Sequence, residues 1–368
     1  MALQQRLMQQ QSGCAAKASS RRIIMRRPAR STRLNVAAGG KVYLDPVQKE
    51  CSAFAPATVA NLGPGFDWMG CAVQGGGDTV VVKALPGRAG EVVIEAIQGD
   101  GGRLSLDPAK NCIGVAASET LKLMGGAVSC GVSLTLHKGL PLGSGMGSSA
   151  ASAAAAAWAV NGLFGAPLAK DKLILAGLAS EAAVSGYHAD NVGPSLLGGF
   201  VLIRSCKPGE PVELLQLPIS PAAAESLHFV LVNPRFEAPT AEMRAVLPKE
   251  VPMKSMINNS CQGGALVAGI LRGDVRLIGE SLDRDVIIEP VRGPLIPGMM
   301  AVKEAAKAAG AYGCTISGAG PTAVAIVDDP RVGERVAAAM SDAFRSAGKL
   351  EVNTAQVVKL DPEGAKFV

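Results

Sequence analysis

A glycine-rich loop between a strand-like run and an alanine-rich helix is the feature that most constrains the fold of this 368-residue chain. Val132–His137 alternates as a β-strand does, and the alanines of Ser149–Asn161 predict a helix that ends at Gly162. The loop between them, residues 141–151, reads Pro-Leu-Gly-Ser-Gly-Met-Gly-Ser-Ser-Ala-Ala. A strand, a tight loop and a buried helix in this order are typical of α/β and α+β proteins.

The loop has the chemistry of a phosphate-binding site. Glycines let the backbone turn tightly and approach an anion, and the free N–H groups at the start of a helix bind phosphate oxygens. Ser148 and Ser149 add hydroxyls to the first helical turn, where one can ligate Mg²⁺. No Gly-Lys-Ser/Thr follows the glycines, which excludes a Walker A loop. A turn that only caps a helix is the alternative, and the density of Gly and Ser beside Lys138 favours phosphate binding.

The elements around this loop predict an α+β protein of two domains. Residues 49–207 contain the strand-like runs and helices that flank the loop, with Ser185–Pro194 predicted as a loop. Lys207–Pro211 has the composition of a linker, so a second domain is predicted at 212–368. Hydrophobic residues make up 48% of the chain, which is enough for a sizeable core.

The first 45 residues are predicted to be a disordered, cleaved transit peptide. Nine basic residues precede the first carboxylate, Asp45, and the segment is rich in Arg, Ser and Ala without an apolar core. A disordered basic tail is the alternative. Removing these nine charges from the net charge of +5 leaves about −4, so no nucleic-acid partner is expected. The uncharged stretch from Lys138 to Lys170 is mainly Gly, Ser and Ala, so no membrane partner is expected either.

Several blocks of the sequence resemble the GHMP kinases, the superfamily that includes galactokinase, mevalonate kinase and homoserine kinase. Residues 141–151 resemble the ATP loop of that superfamily, with Met146 where the family usually has Leu. The other blocks resemble the homoserine-kinase branch and follow its order from about Ser52 to the C-terminus: Ala55–Asp67, Gly186–Asn191, Thr240–Arg244, Glu289–Arg292 and Ile316–Thr322.

The resemblance implies a fold, a reaction and a location. The fold would be the GHMP kinase fold, an N-terminal S5-like α/β domain and a C-terminal ferredoxin-like α+β domain. The reaction would be the ATP- and Mg²⁺-dependent phosphorylation of the L-homoserine side-chain hydroxyl to O-phospho-L-homoserine, in threonine biosynthesis. A homodimer is expected. With the leader, the chloroplast stroma is the predicted location and the mitochondrion is the alternative.

The resemblance also assigns roles to individual residues. Nucleotide binding would fall to Asn111 and to the loop residues Pro141, Leu142, Gly143, Ser144, Gly145, Met146, Gly147, Ser148, Ser149, Ala150 and Ala151. Mg²⁺ would be held by Ser148 and Glu181. Asn61, Asp67 and Asn191 would contact the amino acid, and Arg244 and Arg292 would bind its carboxylate. Thr240 and Lys138 would lie near the γ-phosphate.

Each role has a structural alternative. Asn61 and Asp67 could stabilise their own turn, Glu181 and Lys138 could be solvated charges, and the arginines could be surface residues. His188 and Asp190 are expected to shape the loop before Asn191. No side chain stands out as a general base, so Asp67 and Asn61 are expected to orient the hydroxyl.

Two other functions remain open at the level of sequence. Another GHMP kinase, acting on mevalonate-type acids or sugars, would not need two arginines beside the Asn61 and Asp67 pair. A non-catalytic binding protein with this fold would be expected to lose Ser148, Glu181 or Asp67, and all three residues are present.

Overall fold

The computed structural model describes residues 33–36, 42–125, 127–184, 186–207 and 210–368. The first elements in this part of the chain are two short paired strands. Strands β1 (Arg33–Val36) and β2 (Val42–Asp45) are antiparallel. Leu44 is buried and bonds through its backbone to Ala127 and Ser129. The prediction of a disordered leader up to residue 45 is therefore wrong for residues 42–45. The rest of that prediction, apart from β1, lies outside the described residues.

Eleven further strands and eleven α-helices follow in the described residues. The strands are β3 (Glu50–Ala60), β4 (Met69–Pro86), β5 (Val92–Gln98), β6 (Cys130–His137), β7 (Phe200–Ser205), β8 (Glu213–Leu217), β9 (His228–Pro234), β10 (Gly313–Ile316), β11 (Ala323–Val327), β12 (Val352–Lys359) and β13 (Lys366–Phe367). The α-helices are α1 (Cys112–Leu123), α2 (Ser148–Leu163), α3 (Lys170–Val184), α4 (Ala189–Leu197), α5 (Pro221–Ser226), α6 (Thr240–Ala245), α7 (Met253–Arg272), α8 (Val275–Leu282), α9 (Glu289–Arg292), α10 (Met299–Ala308) and α11 (Pro330–Ser346).

The first sheet has the order β13-β3-β4-β6-β5, and β7 and β8 continue from the start of β4. Strand β3 pairs with β4 along its whole length except at a bulge, where Pro56 is opposite Gly77 and Ala57 is opposite Val73. Lys207–Pro211 joins the antiparallel strands β7 and β8 of this sheet, so the prediction of an interdomain linker there is wrong. The C-terminal strand β13 also returns to this sheet, beside β3.

Helix α2 is the alanine-rich helix predicted after the glycine loop, and it is buried along almost its whole length. Alanine side chains let its backbone pack closely on β3 and β4. The helix continues past Gly162 to Leu163, which corrects its predicted end. A Cβ at Gly162 would lie 2.3 Å from Cε1 of Phe367, so this glycine admits the C-terminal strand. In the described residues no helix is both long and apolar enough to cross a bilayer.

Helix α4 occupies most of the segment predicted as the loop Ser185–Pro194, which corrects that prediction. Pro194 lies inside the helix. Proline has no N–H to donate to the Asp190 carbonyl, which residue 194 would normally bond in a helix. This carbonyl faces Gly70 of β4 so closely that a Cβ on Gly70 would lie 1.9 Å away. The helix therefore tolerates a proline and brings Asp190 and Asn191 against β4.

The second sheet is antiparallel with the order β10-β11-β9-β12. Counted along the chain, this is second, third, first and fourth, the order of a ferredoxin-like β-α-β-β-α-β unit. One face packs on α10 and α11 through residues such as Val230 and Ala325. The other face, including Leu231 and Val324, shares a core with α7, α8 and residues of β3 and β4 such as Val59. This shared core fixes the glycine loop relative to the C-terminal segments of the cavity described below.

The C-terminal strand provides a test of this architecture. The Phe367 ring stacks on Trp158 of α2, with 4.8 Å between centroids and 13° between planes. Phe367→Ala should lower the free energy of unfolding by about 1 kcal/mol, the usual size of an aromatic pair. Urea denaturation measures this, with Val368→Ala as the exposed control. Equal midpoints for the two variants would contradict the expectation that stacking of Phe367 on Trp158 stabilises the fold.

Candidate active site

A cavity of about 710 Å³ lies between the glycine loop, helix α4 and the C-terminal segments around Arg244 and Gly318. Most of the predicted site residues line it: Asn61, Asp67, Asn111, Lys138, Leu142, Gly143, Ser144, Gly145, Gly147, Ser148, Ser149, Glu181, Asn191, Thr240, Arg244 and Arg292. Pro141, Met146, Ala150 and Ala151 are not part of the lining, and the last three are buried. Those four residues shape the loop from behind.

The glycine loop turns through left-handed backbone positions that other residues rarely adopt. Gly145 and Gly147 have φ of 76° and 65°. A Cβ on Gly145 would lie 2.5 Å from the Ser317 carbonyl, and one on Gly147 would lie 2.0 Å from Oγ1 of Thr58. Helix α2 begins directly after Gly147, and the first amides of a helix have no partner within it. These amides are therefore available to an anion in the cavity.

The segment Ser317–Thr322 holds the other side of the loop. The Ser317 hydroxyl donates to the Gly145 carbonyl at 2.8 Å, and the Thr322 hydroxyl donates to the Ser144 carbonyl at 2.6 Å. Asn233 of β9 donates to the Thr322 hydroxyl at 2.9 Å. The Gly318–Gly320 turn therefore packs against the glycine loop. Because the loop carbonyls are engaged here, its amides can face the cavity.

Lys138 is a buried anchor of the loop, and its expected place near the γ-phosphate stays a prediction. Its side chain is 1% exposed, and Nζ lies 2.5 Å from Oδ2 of Asp78, which is 0% exposed. Nζ also donates to the Ser148 carbonyl at 2.7 Å and to the Ser152 hydroxyl at 2.9 Å. All three ammonium donors are therefore used within the protein.

Asp78 is the residue of this site that sequence reasoning missed. Its Oδ1 accepts the backbone N–H groups of Gly139 and Leu140 at 2.9 and 3.1 Å, and its Oδ2 accepts the Ser152 hydroxyl at 2.6 Å. One buried carboxylate thus connects the start of the loop to the first turns of α2. In the sequence Asp78 follows three glycines, so it has the appearance of an ordinary turn residue.

Asp67 and Arg244 form a bidentate ion pair in the lining of the cavity. The distances are 3.0 Å from Nη1 to Oδ2 and 2.7 Å from Nη2 to Oδ1. Asp67 has φ of 62°, and its backbone N–H donates to Oδ1 of Asn61 at 3.0 Å. The Asn61 amide in turn donates to the Gly318 carbonyl at 2.7 Å. Asn61 therefore stabilises the turn that contains Asp67, which is the alternative role considered for it from the sequence.

Arg292 lies behind this pair and is almost fully buried. Its Nε donates to the Met243 carbonyl at 2.8 Å, and its guanidinium lies 4.8 Å from the centroid of the Phe66 ring. Arg244 lies 5.6 Å from the same ring. Burial, and then the charge of Arg244, lowers the pKa of Arg292 to about 10, so the group keeps its charge at neutral pH. The surface-residue alternative is wrong for Arg292.

Helix α4 and the residue before it add polar groups to the same wall. Asn191 accepts the Thr58 hydroxyl through Oδ1 at 2.8 Å. Asp190, expected only to shape its loop, is buried and lines the cavity. Burial, and then the charge of Asp67, raises the pKa of Asp190 to about 6. Nδ1 of His188 lies 3.2 Å from Oε2 of Glu181. The alternative interpretation of Glu181 as a solvated charge is therefore wrong.

The remaining predicted residues have simple local roles in the structure. Asn111 caps helix α1 by accepting the Ile113 N–H at 3.1 Å, and its amide donates to the Ser105 carbonyl at 2.7 Å. Thr240 is the first residue of α6 and faces the cavity.

A buried hydroxyl and a buried carboxylate are the Mg²⁺ ligands that the cavity offers. Ser148 and Glu181 both line it, next to the free amides of α2. Among the described residues, no group of three or more His, Cys, Asp and Glu side chains could hold a metal ion. This donor set fits Mg²⁺, which is usually bound by one or two protein oxygens together with substrate phosphates.

The Asp78–Lys138 pair can be tested by a double-mutant cycle. Asp78→Asn leaves a buried ammonium without its counter-charge, which should lower the free energy of unfolding by about 3 kcal/mol. Asp78→Asn combined with Lys138→Met removes both charges and should recover most of this loss. Denaturant unfolding of the four proteins measures the coupling. Additive effects, or an unchanged Asp78→Asn protein, would show that the two side chains do not act together.

The left-handed loop gives a second prediction. Gly147→Ala should weaken nucleoside triphosphate binding at least about tenfold, because alanine disfavours φ of 65° and its Cβ overlaps Thr58. The dissociation constant of a fluorescent ATP analogue measures this. Gly264→Ala on helix α7, where a Cβ meets nothing within 4 Å, is the matched control. If both variants bind as the unmodified chain does, the loop is not the nucleotide site.

Comparison with known proteins agrees with this arrangement. The family GHMP kinases N terminal domain matches residues 111–199, and GHMP kinases C terminal matches residues 266–346. A homoserine kinase of Arabidopsis thaliana is 56% identical over 325 residues, 88% of this chain and 86% of that protein. A homoserine kinase of Chloroherpeton thalassium is 43% identical and covers 82% of this chain and 95% of that protein.

Solved structures place the fold in the same group. A homoserine kinase from Cytophaga hutchinsonii is 36% identical, with a TM-score of 0.80 over 87% of this chain and 98% of that one. A mevalonate kinase of L. major shares the fold at 16% identity, with a TM-score of 0.60 over 86% of this chain and 98% of that one. The predicted GHMP kinase fold is confirmed. The chain belongs to the GHMP kinase family, in its homoserine kinase branch.

Proposed function

We propose that this enzyme transfers the γ-phosphoryl group of ATP to the side-chain hydroxyl of L-homoserine. The products are ADP and O-phospho-L-homoserine, an intermediate of threonine biosynthesis. Identities of 56% and 43% to homoserine kinases over more than four-fifths of the chain support this reaction. The cavity supports it independently, since it combines an anion-binding helix start with charged groups for an amino acid.

The observation that carries the proposal is the Asp67–Arg244 pair beside Arg292. The two charges neutralise each other through a bidentate contact. A zwitterionic amino acid can replace both halves of it, because its carboxylate fits the guanidinium fork and its ammonium fits the freed carboxylate. Arg292 adds a second positive charge for the substrate carboxylate. A sugar has neither charge, and a mevalonate-type acid has no ammonium to replace Arg244 at Asp67.

The nucleotide would lie on the other side of the cavity. The first amides of α2 would bind its phosphates, and Ser148 and Glu181 would hold Mg²⁺. Bound Mg²⁺ neutralises phosphate charge as the phosphoryl group moves. Lys138 contributes through the Ser148 carbonyl and Asp78, by fixing the start of α2 rather than by touching the γ-phosphate. Asn191 and Thr240 would orient the acceptor and the phosphoryl group between these two ends.

The leader and the assembly state complete the proposal. The basic composition of the N-terminal residues supports import into a plastid, with the mitochondrion as the alternative. A fluorescent fusion of residues 1–45 distinguishes the two organelles. We also propose a homodimer, which sedimentation analysis tests directly.

Substrate choice provides the direct test of function. The purified chain with Mg·ATP should release ADP rapidly with homoserine, and much more slowly with threonine, serine and mevalonate. A coupled assay with the four acceptors side by side measures this. Equal rates with mevalonate, or no ADP release with homoserine, would contradict the proposal.

Variants of the ion pair extend this test. Asp67→Asn and Arg244→Met should each raise KM for homoserine about ten- to a hundredfold, the value of a lost charged hydrogen bond, with little change in KM for ATP. Arg88→Met is the control, because Arg88 makes an exposed ion pair with Glu91. A rise in KM for ATP alone would place these residues at the nucleotide instead. Loss of turnover in Asp67→Asn with homoserine binding intact would indicate that Asp67 acts as a general base.

A further inference from the structure

Helix α9 carries Arg292 into the cavity, and a group of buried charges fixes this short helix from the far side. Glu289, its first residue, is 5% exposed, and Lys303 of α10 is 7% exposed. Nζ of Lys303 lies 2.7 Å from Oε1 of Glu289. Oε2 of Glu289 accepts the Thr315 hydroxyl of β10 at 3.2 Å. Both carboxylate oxygens are therefore tied to elements of the C-terminal sheet layer.

A second carboxylate fixes the backbone just before the helix. Oδ2 of Asp285 accepts the N–H of Glu289 at 2.7 Å, and its Oδ1 accepts the N–H of Ile287 at 2.9 Å. Asn259 of α7 donates to Oδ1 of Asp285 at 2.7 Å. The entry to α9 is thus held by a side chain whose own position is set by another helix.

Arg292 has few anchors of its own. It lies one turn after Glu289, with Nε on the Met243 carbonyl and Nη1 3.4 Å from the Gly318 carbonyl. Both contacts are to backbone oxygens of segments that line the cavity, and neither is bidentate. The direction of its guanidinium therefore depends on where α9 begins.

Lys303 itself does not line the cavity. We infer that Lys303 and Glu289 are positioning residues for the substrate carboxylate: their buried ion pair sets the place of α9 and, through it, the guanidinium of Arg292. This inference rests on the proposed function, because it assigns the substrate carboxylate to Arg292. It adds a residue on α10 that acts on substrate binding without contacting substrate.

The surrounding charges favour the ion pair between Glu289 and a positively charged Lys303. Asp283 lies 3.3 Å from Nζ of Lys303 and 3.0 Å from Nζ of Lys307. Burial raises the pKa of Glu289 to about 7, and the charge of Lys303 opposes that rise. The neighbouring carboxylates raise the pKa of Lys303 against the effect of burial, so the ammonium stays charged. Lys303 is the counter-charge on which Glu289 depends.

The test compares two lysines on one face of α10. Lys307 is the matched control, since it lies one turn beyond Lys303, contacts the same Asp283 and is 45% exposed. Removing one partner of a buried ion pair strongly destabilises a protein. The decisive variant is therefore the neutral pair Glu289→Gln/Lys303→Met, which keeps side-chain volume and leaves no lone charge.

The kinetic parameters of this double variant separate positioning from stability. We expect KM for homoserine to rise about tenfold, with KM for ATP unchanged within about twofold, as for a lost carboxylate contact. Lys307→Met should match the unmodified chain in both values.

Two results would overturn the inference. One is a double variant that melts at a lower temperature with both KM values unchanged, which would make the pair purely structural. The other is a Lys307→Met protein with the same rise in KM for homoserine. Failure of the unmodified chain to phosphorylate homoserine would contradict the proposed function instead, so the two failures are distinguishable.

Discussion

The buried contact of Lys138 with Asp78 is the interaction on which the candidate active site depends. Asp78 holds the backbone amides before the glycine loop, and Lys138 holds the carbonyl of Ser148 at the start of α2. The two ends of the loop are therefore fixed by one pair of opposite charges shielded from water. Ser317 and Thr322 hold the loop carbonyls from the C-terminal side. With its other groups engaged, the loop can offer amides to a phosphate.

Opposite charges are also paired within the protein where the substrate is proposed to bind, but there each charge can exchange its partner for a substrate group. Asp67 and Arg244 satisfy each other at the cavity wall, at side-chain exposures of 42% and 34%. The Asp78–Lys138 pair, in contrast, has no access to solvent. Buried pairs hold the framework, and the accessible pair can separate when a zwitterion arrives. This difference in burial explains how one cavity contains both rigid and exchangeable charges.

Local sequence patterns predicted the elements close to the glycine loop well, because their information is local. The strand before the loop and the alanine helix after it were both correct within about two residues. Helix α4 was missed, because Gly193 and Pro194 favour a loop, and the contact with Gly70 that explains the proline is not visible in the local sequence. The resemblance to known kinases identified most of the residues that line the cavity. It did not predict that Lys138 anchors the loop, because that role depends on Asp78, 60 positions away in the sequence.

The most direct test of the account is an amide chemical-shift titration of the ¹⁵N-labelled protein. Mg·ADP should shift the amide signals of Gly145, Ser148 and Ser149, and homoserine should shift those of Phe66 and Asp67. Each ligand should leave the other group largely unchanged. The account would be contradicted if Mg·ADP left the amides at the start of α2 unaffected, or if homoserine shifted only residues outside the cavity.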